Sequence, residues 1–465
     1  RKIYELMKRN PLVCAFSVSI AVGLLTGSLV TSHAGDVPRQ AAGSPHWPSF
    51  RGADSRGVAE HSKLPEKWSA TENVEWKVDL KGRGWSSPIV WSDMVFVTTV
   101  INQEGSETPQ KGIYARGNRP VPRTVHEWWV YCHDLKSGKR VWGHKVHEKT
   151  PESAIHSKNS FASETPVTDG ERVYFYFGNL GLFVFTMDGA LVWEKRFRPR
   201  ETSHGWGTAA SPVLHKGRLY IVNDNDNEED SWLLALDKRT GKEAWKVERD
   251  EKSNWATPYV WENSQRTEII TPGSDMTRSY DLSGKLLWSY KEGMSRLTIA
   301  MPYADGDLLY ITSGFVSSPL KPIYAIRPGA SGDITLERGQ TSSKYVAWCQ
   351  WKAAPYNPST LLYHDRLYVL LDRGMLSALD PKSGKIIYDR ERISGRHAFT
   401  SSPWAYNGKI FCLNEDGATS VFKEGDAFDQ LHTNRLADDD MCLATPAIAG
   451  DRLLIRTSRR LYCIR

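Results

Sequence analysis

A proline, usually preceded by serine or threonine, opens an apolar stretch again and again along this chain, and no other feature limits the possible folds so sharply. These prolines are Pro88, Pro166, Pro212, Pro258, Pro302, Pro358, Pro403 and Pro446, separated by 78, 46, 46, 44, 56, 45 and 43 residues. In the clearest copies a short turn follows, then a strand rich in aromatic and β-branched residues, an Asp-x-x-x-Gly-Lys type of turn and a closing tryptophan. The fullest copy runs from Ser211 to Trp245. The two long gaps hold insertions, Ile101 to Glu127 and Arg327 to Lys344. A period near 45 residues built from short alternating strands marks a propeller blade. The expected fold is all-β, a single eight-bladed β-propeller of four-stranded antiparallel blades.

Local chemistry supports the repeat. Val173 to Phe177 and Leu219 to Val222 have the aromatic and branched content of strands. Asp134, Asp237, Asp281 and Asp380 precede Gly-Lys pairs, where a carboxylate can accept hydrogen bonds from its own following backbone. The tryptophans after these turns are expected to wedge between neighbouring blades: Trp142, Trp193, Trp245, Trp288 and Trp348, with Tyr388 as a substitute. Burying one such ring is worth about 2–4 kcal/mol.

Trp76, within Val74 to Val78, has the character of a fourth strand with no first three before it, while the sequence ends soon after a third strand at Arg459 to Ile464. The N-terminal segment is therefore expected to complete the last blade, which removes an exposed sheet edge. Lys8 and Arg9 precede an apolar run from Pro11 to Val30, and Ser32-His33-Ala34 offers small residues for cleavage. That is the order of a secretory signal. The expected organisation is a signal segment over 1–34 with Met7 as the natural start, an arm over 35–73 and the propeller over 74–465. The protein is then periplasmic or secreted, touching a membrane only through the signal segment.

Charge excludes little but points away from nucleic acid, because 60 basic and 54 acidic residues are interspersed without clusters. Cys132, Cys349, Cys412, Cys442 and Cys463 are odd in number, widely spaced and without a CxxC pair, which outlines neither a disulfide framework nor a zinc site.

The string from Ala235 to Trp245, with Asp237 and Gly241 inside it, resembles the Ala-x-Asp-x-x-x-Gly-x-x-x-Trp docking motif of the PQQ-like (quinoprotein-type) propeller family, and Ala378 to Tyr388 is a weaker match. The segment Trp47 to Gly52 is similar to the lead-in of secreted propellers of this kind. The family contains PQQ-dependent dehydrogenases and non-enzymatic propellers, among them the scaffold subunit of the outer-membrane β-barrel assembly machinery. The resemblance implies either PQQ with Ca2+ or no cofactor at all. The enzymes have an adjacent Cys-Cys pair beside the quinone; this sequence has none.

Candidate ligand residues cluster just before the opening prolines. Trp85, Phe161, Trp206, Trp255, Tyr356 and Phe399, with Arg83, His204 and Arg296 close by, are expected to line an axial funnel suited to a planar or anionic ligand. Packing of the inter-blade core is the competing reading. Asp224, Asp226 and Glu228 have the oxygen-rich character of a calcium loop, or of a solvated hairpin tip. The Ile101–Glu127 insertion, with Lys111, Arg116, Arg119 and Arg123, is either solvated decoration, the commoner fate of such a loop, or a grip for an acidic partner. No nucleophile elbow or HExxH spacing is present, so no catalytic residue is assigned. The expected function is an exported, non-catalytic, monomeric scaffold that binds a protein or peptide segment on one face. A PQQ-dependent oxidoreductase of alcohols or sugars and a polysaccharide-binding propeller are the alternatives.

Overall fold

The computed structural model describes residues 43–465 apart from Ser62 and residues 106–109, 113–119, 227–229 and 292–293. The expected signal segment, Arg116, Arg119 and Glu228 lie outside the described residues. Eight antiparallel sheets follow one another along the chain. Blades 1 to 8 begin with the inner strands Ile89–Trp91, Val167–Thr168, Val213–His215, Tyr259–Glu262, Tyr303–Asp305, Leu361–Tyr363, Trp404–Tyr406 and Ala447–Ala449. In seven of them the strands pair in chain order from inner to outer, with an extra parallel strand, Gly332–Asp333, beside the outer strand of blade 4. Blade 8 borrows its outer strand: Val74–Asp79 pairs antiparallel with Arg460–Ile464. The propeller thus closes by joining the two ends of its chain, as the sequence indicated. One unit is offset from its sequence reading. In blade 6 Pro358 lies upstream, and Ser359-Thr360 takes the place that Ser/Thr-Pro holds elsewhere.

The residue before each proline has a role that punctuation alone did not reveal. The backbone N–H of Ser87 donates to Thr165 Oγ1, that of Thr165 to Ser211 Oγ and that of Ser211 to Thr257 Oγ1, over 2.9–3.0 Å. The run resumes from Met301 to Ser359, Ser359 to Ser402 and Ser402 to Thr445, each at 3.0 Å. Each hydroxyl receives the amide of the preceding blade, so a girdle of hydrogen bonds joins blades 1 to 4 and blades 5 to 8 around the axis. Met301 has no hydroxyl and interrupts it between blades 4 and 5. These groups are buried, where an unmade hydrogen bond costs about 1–3 kcal/mol.

The tryptophans meet the turns of the next blade. The indole N–H of Trp76, Trp142, Trp193, Trp245 and Trp348 donates to the carbonyl of Leu135, Met187, Lys238, Leu282 and Pro381 respectively. Each ring lies on the turn glycine, Gly138, Gly189, Gly241, Gly284 or Gly384. The preceding aspartates fasten the turns: Asp237, for example, accepts from the N–H and the hydroxyl of Thr240, and those bonds hold its carboxyl below the usual range. Trp288 departs from the pattern. The equivalent connection of blade 5 is the 327–344 insertion, so no Gly turn awaits it, and its N–H donates instead to Glu268 of its own blade. Tyr388 meets Phe428 edge-on at 6.2 Å.

The arm before the first strand crosses the ring at the end where the inner strands finish. Trp47 bridges to Val90, the Pro48 carbonyl accepts from Thr168, and Val58 bridges to Ala405. Between these points Arg51 is fully buried, lies over the Tyr303 ring at 5.2 Å and donates to the Thr360 carbonyl at 2.8 Å. Burial pushes its pKa down to about 10. Arg56 reaches Asp305 at 2.8 Å. The arm therefore touches blades 1, 2, 5, 6 and 7 and stoppers that end of the channel.

Candidate functional site

The other end of the channel is open. A cavity of about 720 Å³ lies above the hydroxyl girdle, with Phe50 from the arm at its floor. Two aromatic pairs form its walls. Trp206 and Trp255 lie 6.0 Å apart at 41°, and Phe315 and Tyr356 lie 5.3 Å apart at 59°. Trp85 completes the apolar lining, and Lys158, Asn159, Asn357 and Arg373 supply polar groups.

The walls are fixed by hydrogen bonds between blades. The Trp85 indole donates to the Lys158 carbonyl and the Trp255 indole to the Gly207 carbonyl, each at 2.7 Å. His156 stands edge-on to Trp206 at 5.2 Å. The Asp372 carboxylate accepts from the backbone N–H groups of Tyr356 and Asn357, at 3.1 and 2.9 Å, which sets the Tyr356 loop. Burial pushes the Asp372 carboxyl up, and those donors offset it only in part. A rigid aromatic recess suits a flat or apolar group, because no rotamer freedom has to be given up on binding.

One cation commands the rim. Lys158 Nζ pairs with Glu415, donates to the Gly112 carbonyl at 2.9 Å and reaches Thr400 Oγ1 at 3.4 Å. Glu415 also accepts from the N–H of Gly112 at 2.9 Å and from Thr400 at 2.8 Å. The blade 1 insertion is thereby strapped over to blade 7, with Lys111 paired to Asp416 at 3.1 Å.

Of the residues expected in the funnel, Trp85, Trp206, Trp255 and Tyr356 line it. The others do not. Phe161 packs on Trp128 and His126, with Arg83 beside it in a separate recess, where Arg83 stacks on Trp85 at 5.7 Å and donates to the Ser157 carbonyl. Phe399 is fully buried between blades. His204 and Arg296 are exposed and are not part of the lining, although the His204 ring lies 5.0 Å from that of Trp206. Their distances from the proline differ, and successive side chains of an extended segment point to opposite sides. Phe50, Phe315 and Lys158 sit on irregular segments with no repeat position to betray them. At the calcium candidates the two described carboxylates have protein partners. Asp224 is buried and held by both forks of Arg249 at 2.8 and 3.0 Å, and by Asn254 at 2.6 Å, while Asp226 accepts from Ser253. Those partners use the carboxylate oxygens a cation needs. Among the described residues no group of three or more His, Cys, Asp or Glu is placed to hold a metal.

Residues 126–298, a little over a third of the chain, match the family model described as outer membrane protein assembly factor BamB. A stretch of 126 residues, 25% of this chain, is 27% identical to a 1-butanol dehydrogenase (quinone) of Thauera butanivorans and spans only 19% of that enzyme's length. Among solved structures, the computationally designed Ika8 protein matches 88% of the chain and 99% of its own length with a TM-score of 0.53 at 9% identity, a likeness of fold alone. BamB from Moraxella catarrhalis matches 83% of the chain and 98% of its own length with a TM-score of 0.38 at 11% identity. A family model of an assembly factor and a quinone-dependent dehydrogenase thus each match only part of this chain.

Proposed function

We propose that this chain is a non-catalytic binding protein of an extracytoplasmic space, and that its funnel holds an apolar or aromatic segment of a protein partner. The carrying observation is the composition of the cavity wall: indole, phenyl and phenol rings, hydroxyls and amides, two cations at the rim, and no aspartate or glutamate among the described lining residues. Export rests on the charged, apolar and small-residue order of the first 34 residues.

The quinone-dependent reading draws on the dehydrogenase similarity. Bound PQQ would supply a two-electron acceptor for an alcohol. The residues here do not fit it: a calcium-held quinone needs carboxylate or amide oxygens around the cation and a carboxylate base beside the substrate. Asn159 and Asn357 bring amide oxygens to the lining, but no carboxylate lines the cavity among the described residues, and Glu415 at the rim is held by Lys158. A sugar ligand would stack on the same rings and tests as an alternative occupant.

Purified protein is titrated with aromatic-rich peptides, with PQQ plus Ca2+ and with a glycan array, following tryptophan fluorescence and dye reduction. The expected result is saturable quenching by peptide that Trp206→Ala weakens by about 2 kcal/mol, roughly 30-fold, with no dye reduction by alcohols. Stoichiometric PQQ uptake with dye reduction, or selective glycan binding, would overturn the assignment.

A further inference from the structure

We propose that a second recess, beside the funnel on the same face, docks an acidic peptide segment of a protein partner. It is a cleft of about 830 Å³ between the blade 1 strap at Lys111 and Gly112, the 392–398 segment after blade 6 and the Glu415–Asp416 turn of blade 7. Lys111, Arg373, Arg392, Arg396 and His397 line it, against two carboxylates. Both carboxylates are already engaged. Glu415 is held by Lys158, Gly112 and Thr400, and Asp416 accepts from Lys111 at 3.1 Å and His397 at 3.0 Å. Despite burial, these two donors hold the Asp416 carboxyl below its usual range.

Among the described residues no carboxylate pairs with Arg392 or Arg396. Arg392 donates to the carbonyls of Arg373 and Gly374, which fix its guanidinium without cancelling its charge. The cleft therefore presents positioned guanidinium groups that a carboxylate can meet in bidentate fashion. Asp416 on its wall opposes a polyphosphate chain or a densely anionic surface. Carboxylates spaced along a flexible peptide suit it better. Arg373 lines both this cleft and the funnel, so one partner can lay an acidic stretch here and an apolar stretch there.

The inference deepens the binding assignment and shares its premise that the partner is a protein. The test uses the full chain and a short labelled peptide of alternating glutamate and glycine, which has no ring for the funnel. The expected result is saturable binding that weakens steeply with added salt and falls roughly tenfold or more in Arg392→Glu/Arg396→Glu, whose side chains are exposed and whose fold is checked by circular dichroism. A lysine–glycine peptide should not bind, and Trp206→Ala should leave the affinity unchanged. No saturable binding, binding untouched by the double reversal, or preference for phosphatidylglycerol vesicles or an oligonucleotide would overturn the cleft assignment. The funnel result stands or falls separately, on the aromatic peptides.

Discussion

The docking of each tryptophan on the next blade's turn glycine makes a sharp prediction at Gly241. Its φ is +70°, and a Cβ there would come within 2.7 Å of Cε3 and 2.9 Å of Cδ2 of Trp193. Gly241→Ala therefore carries two penalties. A left-handed backbone costs an L-residue about 1–2 kcal/mol. Forcing a methyl against a ring held by its neighbours adds about 1–3 kcal/mol. Gly339 provides the control, because its φ is +89° but nothing lies within 4 Å of an added Cβ. Gly339→Ala should show the backbone penalty alone. Urea unfolding of both variants, with coincident fluorescence and circular dichroism transitions as the check for two-state behaviour, should place Gly241→Ala about 1–3 kcal/mol below Gly339→Ala. Equal losses, within about 0.5 kcal/mol, would refute the claim that the ring–glycine contact locks the blades.

Two further outcomes follow from the buried polar groups. Thr257→Val keeps the shape but removes the acceptor of the Ser211 N–H, at 3.0 Å, and should cost about 1–3 kcal/mol in urea unfolding; a loss under about 0.5 kcal/mol would mean that the girdle contributes little. Glu164 is fully buried, and desolvation raises its pKa above the ordinary 4.5 despite the hydrogen bonds from Thr208 and Gly178. A raised native pKa gives stability that is present below the unfolded value and lost as pH rises through the folded one. Glu164→Gln should therefore gain on the wild type as pH climbs from 4.5 toward neutrality, and parallel pH profiles would contradict this.

What the sequence made legible follows from periodicity. Blade number, the borrowed strand Val74–Asp79 and the tryptophan contacts recur at fixed offsets from the Gly turns, so each copy reinforces the others. Trp288 was misjudged because its partner turn is replaced by an insertion, a fact about the following blade rather than about its own. The hydroxyl girdle was visible as Ser/Thr before proline, but its bonds join residues some 46 positions apart, such as Ser211 and Thr257, beyond any local rule. Phe50, Phe315 and Lys158 lie off the repeat, and only the closed ring brings them to one cavity. Asp224 looked like a cation ligand because its partner, Arg249, stands 25 residues downstream.

The buried Arg51 and Trp47 have a consequence for traffic. Because the arm is packed across one mouth, an occupant of the funnel reaches and leaves it most readily from the opposite side. Arrival and departure then share one transit route, two occupants compete instead of queuing, and a partner straddling the rim would imprison whatever lies below it.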